Sequence, residues 1–191
     1  MPRHLQCNLA RQMRHSYNSD SWHTLVLWNA QNFVKKINNM YYKIIYQLFH
    51  TEELWSLFIL RITLGGVVLP HVLQKLFGWF DGPGLSGEMA FMKGHVGLST
   101  FWAVAAIITE CLGVFMILSG AGTRIAAIAL FCLFIGMIIK VHQKNGYFMN
   151  WFGKLPTGQE GFEYHLLVLG ICIVLFLQGG GKWALDNLIG K

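Results

Sequence analysis

The sequence predicts an all-α integral membrane protein, a four-helix bundle preceded by an amphipathic helix in the membrane interface. Of the 191 residues, 54% are hydrophobic and only 13% are charged, whereas soluble domains carry roughly 25% charged residues. Four long apolar segments follow residue 50, and a basic segment with helical periodicity precedes them. We therefore divide the chain into a basic N-terminal extension with the amphipathic helix, residues 1–50, and a four-helix membrane domain, residues 51–191.

The extension shows helical periodicity from Phe33 onward. Its apolar residues recur at spacings of three and four, which places them on one helix face; they are Phe33, Ile37, Met40, Tyr41, Ile44, Ile45 and Leu48. Lysines and amides occupy the other face. A basic amphipathic helix just before a membrane span is typical of a helix that lies among lipid headgroups. A helix that docks a partner protein is the alternative.

Each of the four apolar segments is predicted to be a membrane-spanning helix, which needs about 20 residues and at least about 17. They run from Leu54 to Phe77, from Phe101 to Gly120, from Arg124 to Val141 and from Phe162 to Gln178. The last reaches the lower limit only if Phe162 and Tyr164 form its interfacial start. The short turn "SGAGT" makes the second and third helices antiparallel neighbours.

The distribution of Lys and Arg predicts the orientation, because cytoplasmic loops carry an excess of these residues. One side of the predicted bundle has nine, namely Arg3, Arg11, Arg14, Lys35, Lys36, Lys43, Arg124, Lys182 and Lys191. The other side has five, namely Lys75, Lys93, Lys140, Lys144 and Lys154. The bias predicts that both termini are cytoplasmic and that the two long aromatic loops face outward.

Arg61 and Glu110 are charged residues that lie away from the ends of the apolar segments, where ionisable groups are costly and face the bundle interior. Counted at about 1.5 Å per residue, Arg61 and Glu110 fall within about one helical turn of each other in depth. We therefore expect a structural ion pair between Arg61 and Glu110. A Glu110 that carries a proton or binds a ligand is the alternative.

Polar side chains also gather at the predicted outer end of the bundle. An inward-facing cluster would suit the headgroup of a quinone or another amphipathic ligand, whereas an interfacial edge of snorkelling and aromatic residues is the alternative. The candidate ligand-binding residues are His71, Gln74, Lys75, Trp79, Glu110, His142, Glu163 and His165. The sequence shows no compact metal-ligand spacing, nucleotide motif or redox-cofactor motif, and its scattered basic residues predict no nucleic-acid surface.

These motifs resemble the DoxX family of small four-helix membrane proteins over roughly residues 55–187. The resemblance rests on "LRITLGG", on the block "QKLFGWFDGPG" that follows His71, on "ECLGVFMILSGAGTR", on "FEYHLLVLG" and on "GGGKWALD". Residues 51–191 are thus identified as a DoxX-like membrane domain. The resemblance implies a redox-linked membrane role, since the family takes its name from a subunit associated with thiosulfate:quinone oxidoreductase and quinol oxidase complexes.

We therefore expect a redox-linked subunit that binds quinone or supports quinone-linked oxidoreduction, in a bacterial inner membrane. Its electron donor would be a second protein or a small sulfur compound. The alternatives are a non-enzymatic accessory or assembly subunit and a small-solute transporter. The expected partners are the lipid bilayer and either a larger membrane complex or further copies of the chain. The residues leave open whether the chain is itself an enzyme, and they assign no catalytic group.

Overall fold

A computed structural model describes residues 19–153, 156 and 159–189. Within them the regular structure is entirely helical, as predicted, and no strand occurs. The first helices are α1 (Ser19–Phe49), α2 (Trp55–Phe77) and α3 (Gly84–Gly94), and the later ones are α4 (Thr100–Ser119), α5 (Thr123–Met137) and α6 (Glu163–Gln178). Residues 1–18 of the predicted extension and the charges at Lys154 and Lys191 lie outside the described residues.

The chain divides into two compact units, residues 1–45 and 46–191. In the first unit, α1 exposes its apolar face: Phe33 is 64% exposed, Met40 54% and Ile44 46%. A face of this kind is buried against protein in an ordinary soluble domain. Nothing in this unit covers it among the described residues.

The second unit is a membrane helical bundle. Three of its helical segments are long and apolar enough to cross a membrane: Trp55–Phe77, Thr100–Ser119 and Thr123–Asn145. The segment Thr123–Asn145 continues α5 through a π-helical turn, Ile138–His142, and a 3₁₀ turn. At 16 residues, α6 is shorter than the span that we predicted for it.

The four long helices of this bundle pack against one another. Helices α4 and α6 each contact both α5 and α2. Their shared core includes Val68, Val114, Leu130 and Leu175, each no more than 1% exposed. At Gly113, a Cβ would lie 2.8 Å from the side chain of Leu130. Small residues allow membrane helices to approach closely, so Gly113 sets the distance between α4 and α5.

A short helix, α3, occupies what the sequence predicted to be a loop between the first two spans. It packs against α2 and α4. Met92 of α3 forms a second core cluster with Ala103 and Ile107 of α4. This packing places one face of α3 beside the polar end of the bundle.

Candidate functional site

A pocket of about 710 Å³ lies between α3, α4 and α5, and we call it the α3/α4/α5 pocket. Its apolar walls include Met92, Leu98, Trp102 and Leu133. Its polar groups come from four elements: Lys75 of α2, Glu88 of α3, Thr109 of α4, and Lys140 and His142 of the π-helical turn. A volume of this size, largely apolar with a few converging polar groups, is typical of a small-molecule site.

The pocket is elongated along α5, because its lining runs from Ala129 to His142. Thirteen residues of helix correspond to about 20 Å. The polar groups near His142 mark one end, and small residues such as Ala129 and Gly136 line the deeper part. This shape suits a molecule with a polar head and an apolar tail.

Lys75 and Glu110 form the central ion pair of the site. The Lys75 Nζ atom lies 2.9 Å from Glu110 Oε1 and 2.8 Å from Oε2, so the ammonium group donates to both carboxylate oxygens. The Glu110 side chain is 4% exposed and that of Lys75 21%. Both groups are mostly buried. Because they pair with each other, neither charge is left alone in an apolar environment.

This pairing corrects the ion pair that we expected between Arg61 and Glu110. Arg61 instead donates through Nη2 to the carbonyl of Lys182, at 3.3 Å, and packs against Gly120 at the end of α4. Gly120 lies ten residues beyond Glu110 on α4, which is about 15 Å along the helix. Helical side chains tilt toward the N-terminus of their helix, so the Arg61 side chain extends away from Glu110.

Glu88 is a buried carboxyl group that the sequence analysis missed. It is 7% exposed and lines the pocket beside the Lys75–Glu110 pair. Burial raises the pKa of Glu88, and the charge of Glu110 raises it further, whereas Lys75 opposes both effects. Glu88 and the buried Met92 lie four residues apart in α3. That spacing was the available signal for a helical face with a carboxyl group on it.

His142 and His165 lie together at the polar end, with ring centroids 4.2 Å apart. His142 Nδ1 lies 2.8 Å from the carbonyl oxygen of Glu160. A carbonyl can only accept, so Nδ1 carries the hydrogen and Nε2 is the acceptor in the neutral ring. His165 is 6% exposed, and its Nδ1 has no hydrogen-bond partner among the described residues. Only His142 of the two lines the pocket.

Three of the predicted ligand-binding residues point elsewhere. His71 is exposed and does not line the pocket. Gln74 donates to the carbonyl of Phe80, at 3.4 Å, which helps to fold the following loop back onto α2. Trp79 is 56% exposed and packs against Phe77 and Phe80. These side chains form the edge of the bundle.

Glu163 accepts hydrogen bonds from the loop between α5 and α6. Its Oε2 atom accepts from the backbone N–H of Met149 at 3.2 Å and from Trp151 Nε1 at 3.1 Å. Both donors belong to the loop that precedes α6. Glu163 therefore orders this loop and does not line the α3/α4/α5 pocket.

Asp186 is a second buried carboxylate that the sequence analysis did not place in a site. It is 1% exposed and accepts from the N–H groups of Gly122, at 2.6 Å, and Thr123, at 2.9 Å. It thereby satisfies free donors at the start of α5. Asp186 lies at the opposite end of the bundle from the pocket's polar groups, so its role is structural.

Comparison with known proteins agrees with the fold and the motifs. Residues 56–143 match the DoxX family. They contain α3 to α5, all of α2 except its first residue, and every residue that lines the pocket. The chain is also 28% identical over 151 residues to the uncharacterized membrane protein Rv3486 of Mycobacterium tuberculosis (strain ATCC 25618 / H37Rv). That alignment covers 76% of this chain and 88% of the relative. No solved structure matches the chain. The chain is therefore a membrane protein that carries a DoxX domain at residues 56–143.

Proposed function

We propose that this protein binds a quinone in the α3/α4/α5 pocket and serves as the membrane subunit of a quinone-linked redox system. The observation that carries the proposal is a largely apolar pocket of about 710 Å³ whose polar end is lined by Glu88 and by Lys75, the partner of Glu110. The elongated shape accommodates a ring at the polar end and an isoprenoid tail in the deeper part. Trp102 and Met92 supply the apolar contacts that a flat ring needs.

The polar groups fit the two oxygens of a quinone headgroup. A quinone oxygen accepts hydrogen bonds, and Lys75, Lys140 and a neutral Glu88 are donors. A quinol hydroxyl can also donate, and His142 Nε2 accepts because Nδ1 is bound to the carbonyl of Glu160. A bound quinone takes up two electrons and two protons when it is reduced. The roles of these residues are to orient the headgroup, exclude water and hold protons near it.

The rest of the proposed system follows from the sequence. Among the described residues, no three or more His, Cys, Asp or Glu side chains cluster in a way that could bind a metal ion. We therefore assign the electron donor to a second protein or a small sulfur compound. The Lys and Arg bias predicts that both termini are cytoplasmic. In this proposal the pocket's polar end therefore faces the outer side of a bacterial inner membrane.

The test is to measure quinone in protein purified from membranes in mild detergent. Gly136 lines the pocket, and no atom lies within 4 Å of the position that a Cβ would occupy there. Gly170 of α6 is equally open but lies outside the pocket, which makes it the matched control. We expect Gly136→Leu to remove bound quinone and Gly170→Leu to retain it. Equal quinone content in both variants, or none in the native protein, would count against the proposal.

The accessory-subunit function is the second candidate, and the exposed apolar face of α1 favours it. A stoichiometric protein partner that co-purifies without quinone would support that function. Transport remains an alternative that rests on the buried charges of Arg61 and Glu110. Both groups are held within the bundle, because Glu110 pairs with Lys75 and Arg61 donates to the carbonyl of Lys182.

A further inference from the structure

Glu88 is the one carboxyl group among the described residues that lines the α3/α4/α5 pocket. It is 7% exposed. Its carboxyl group makes no hydrogen bond or ion pair with the described part of the chain, although Lys75 and Glu110 act on it electrostatically. A buried polar group without a partner is costly unless it binds water or a ligand. Its position on the pocket wall makes a ligand the natural partner.

The neighbouring charges leave Glu88 without a counter-ion of its own. Lys75 donates to both oxygens of Glu110, so its ammonium group is already paired with another carboxylate. An ionised Glu88 would add a second negative charge beside the mostly buried Lys75–Glu110 pair. Burial has the largest effect and raises the pKa of Glu88, Lys75 lowers it, and Glu110 raises it by less than Lys75 lowers it. The net shift is upward, so the pocket favours the neutral acid.

The other titratable groups around Glu88 do not supply a dedicated partner either. They are Lys75 from α2, Glu110 from α4, Cys132 from α5, and Lys140 and His142 from the turn after α5, together with Lys93 and His95 near the end of α3. Lys93, His95 and Lys140 are exposed to the surroundings. His142 is bound to the carbonyl of Glu160 through Nδ1.

We infer that Glu88, as a neutral carboxyl group, donates the hydrogen bond that holds a carbonyl oxygen of the ligand in the α3/α4/α5 pocket. This inference rests on the proposed function and deepens it, because it assigns a recognition residue and a ligand class. A neutral donor beside a neutralised ion pair selects a neutral, carbonyl-bearing amphiphile over a carboxylate amphiphile. Quinones belong to the selected class, and fatty acids to the other.

The inference is tested with the full chain in lipid nanodiscs and decylubiquinone as the probe. Wild-type affinity falls as the pH rises through the Glu88 pKa, because the donor is lost. Glu88→Gln keeps a donor at every pH, so its affinity stays level over the same range. Glu88→Ala weakens binding about tenfold at low pH. Loss of quinone binding in the wild type overturns the proposed function and this inference together. Binding whose pH dependence is unchanged in Glu88→Gln overturns the inference alone.

A second measurement reads the protonation state of Glu88 without a quinone. Dicyclohexylcarbodiimide is an apolar reagent that modifies protonated carboxyl groups, and mass spectrometry locates the product. We expect modification of Glu88 at neutral pH, protection by decylubiquinone, and no modification of the paired Glu110. Unmodified Glu88 at neutral pH would overturn the inference even if quinone binds. Decanoate that competes as strongly as decylubiquinone would overturn the assigned ligand class.

Discussion

Lys75 Nζ bonds both carboxylate oxygens of Glu110, at 2.8 and 2.9 Å, and so joins α2 to α4 at the level of the pocket. The two residues lie 35 positions apart in the sequence. Lys75 also lines the α3/α4/α5 pocket. The pair is therefore both a contact between helices and part of the candidate binding site.

Breaking this pair from one side should destabilise the bundle. Lys75→Met leaves a buried carboxylate, and Glu110→Gln leaves a lysine without its partner, so each should cost about 3 kcal/mol. The double variant removes both charges and should recover most of that loss. Thermal unfolding in detergent, followed by circular dichroism, measures all three. Additive losses in the double variant would show that the two residues do not act as a pair.

The stability of the protein should depend on pH through Glu88. Its pKa is raised in the folded protein, so the neutral form stabilises the fold relative to the ionised form. This contribution is complete below the unfolded pKa of about 4.3 and is lost as the pH rises through the folded pKa. Glu88→Gln lacks this titration. The melting temperature of the wild type minus that of Glu88→Gln should fall with rising pH, and a constant difference would contradict the prediction.

The membrane helices were predictable because apolar length alone identifies them. The three runs in α2, α4 and α5 are each long enough to cross a membrane, and tertiary contacts do not change that requirement. The candidate site was only partly predictable. Lys75 and His142 were predicted as candidates because they lie at the ends of apolar runs, and both line the pocket.

The errors arise from side-chain direction and from short helices. Depth counted along the helix axis put Arg61 near Glu110, but helical side chains tilt toward the N-terminus of their helix. That tilt carries Arg61 away from Glu110 and brings Lys75, farther along α2, back toward it. Glu88 was missed because α3 has only 11 residues. Its burial depends on packing against α2 and α4, which no local pattern specifies.

The end of the bundle opposite the pocket should depend on Asp186. Its two oxygens accept from the N–H groups of Gly122 and Thr123 at the start of α5. Asp186→Ala removes both acceptors and should lower the free energy of unfolding by about 2 kcal/mol. Asp186→Asn keeps one acceptor oxygen and should lose less. Denaturant unfolding in detergent gives the order, and equal losses in both variants would contradict it.

Gly120, at the same end of the bundle as Asp186, should not tolerate replacement by a residue with a side chain. Its φ of +69° lies in the left-handed region, and a Cβ would collide with Arg61 and with the backbone of Ala184, 2.6 Å from its Cα. Gly120→Ala should therefore reduce the yield of folded protein sharply. Gly66→Ala is the matched control, because no atom lies within 4 Å of a Cβ there. Comparable yields of the two variants, measured by size-exclusion chromatography, would contradict the assignment.

The apolar face of α1 should lie in lipid headgroups, as its basic amphipathic pattern predicts. Ile44 and Asn39 are both exposed in the structure but occupy different faces of α1. In a background without the native cysteines, Ile44→Cys and Asn39→Cys can each carry an NBD fluorophore in the full chain. In nanodiscs, we expect blue-shifted emission for the label at position 44 and water-like emission at position 39. Water-like emission at both positions, with a blue shift only after a partner protein is added, would instead identify α1 as a docking helix.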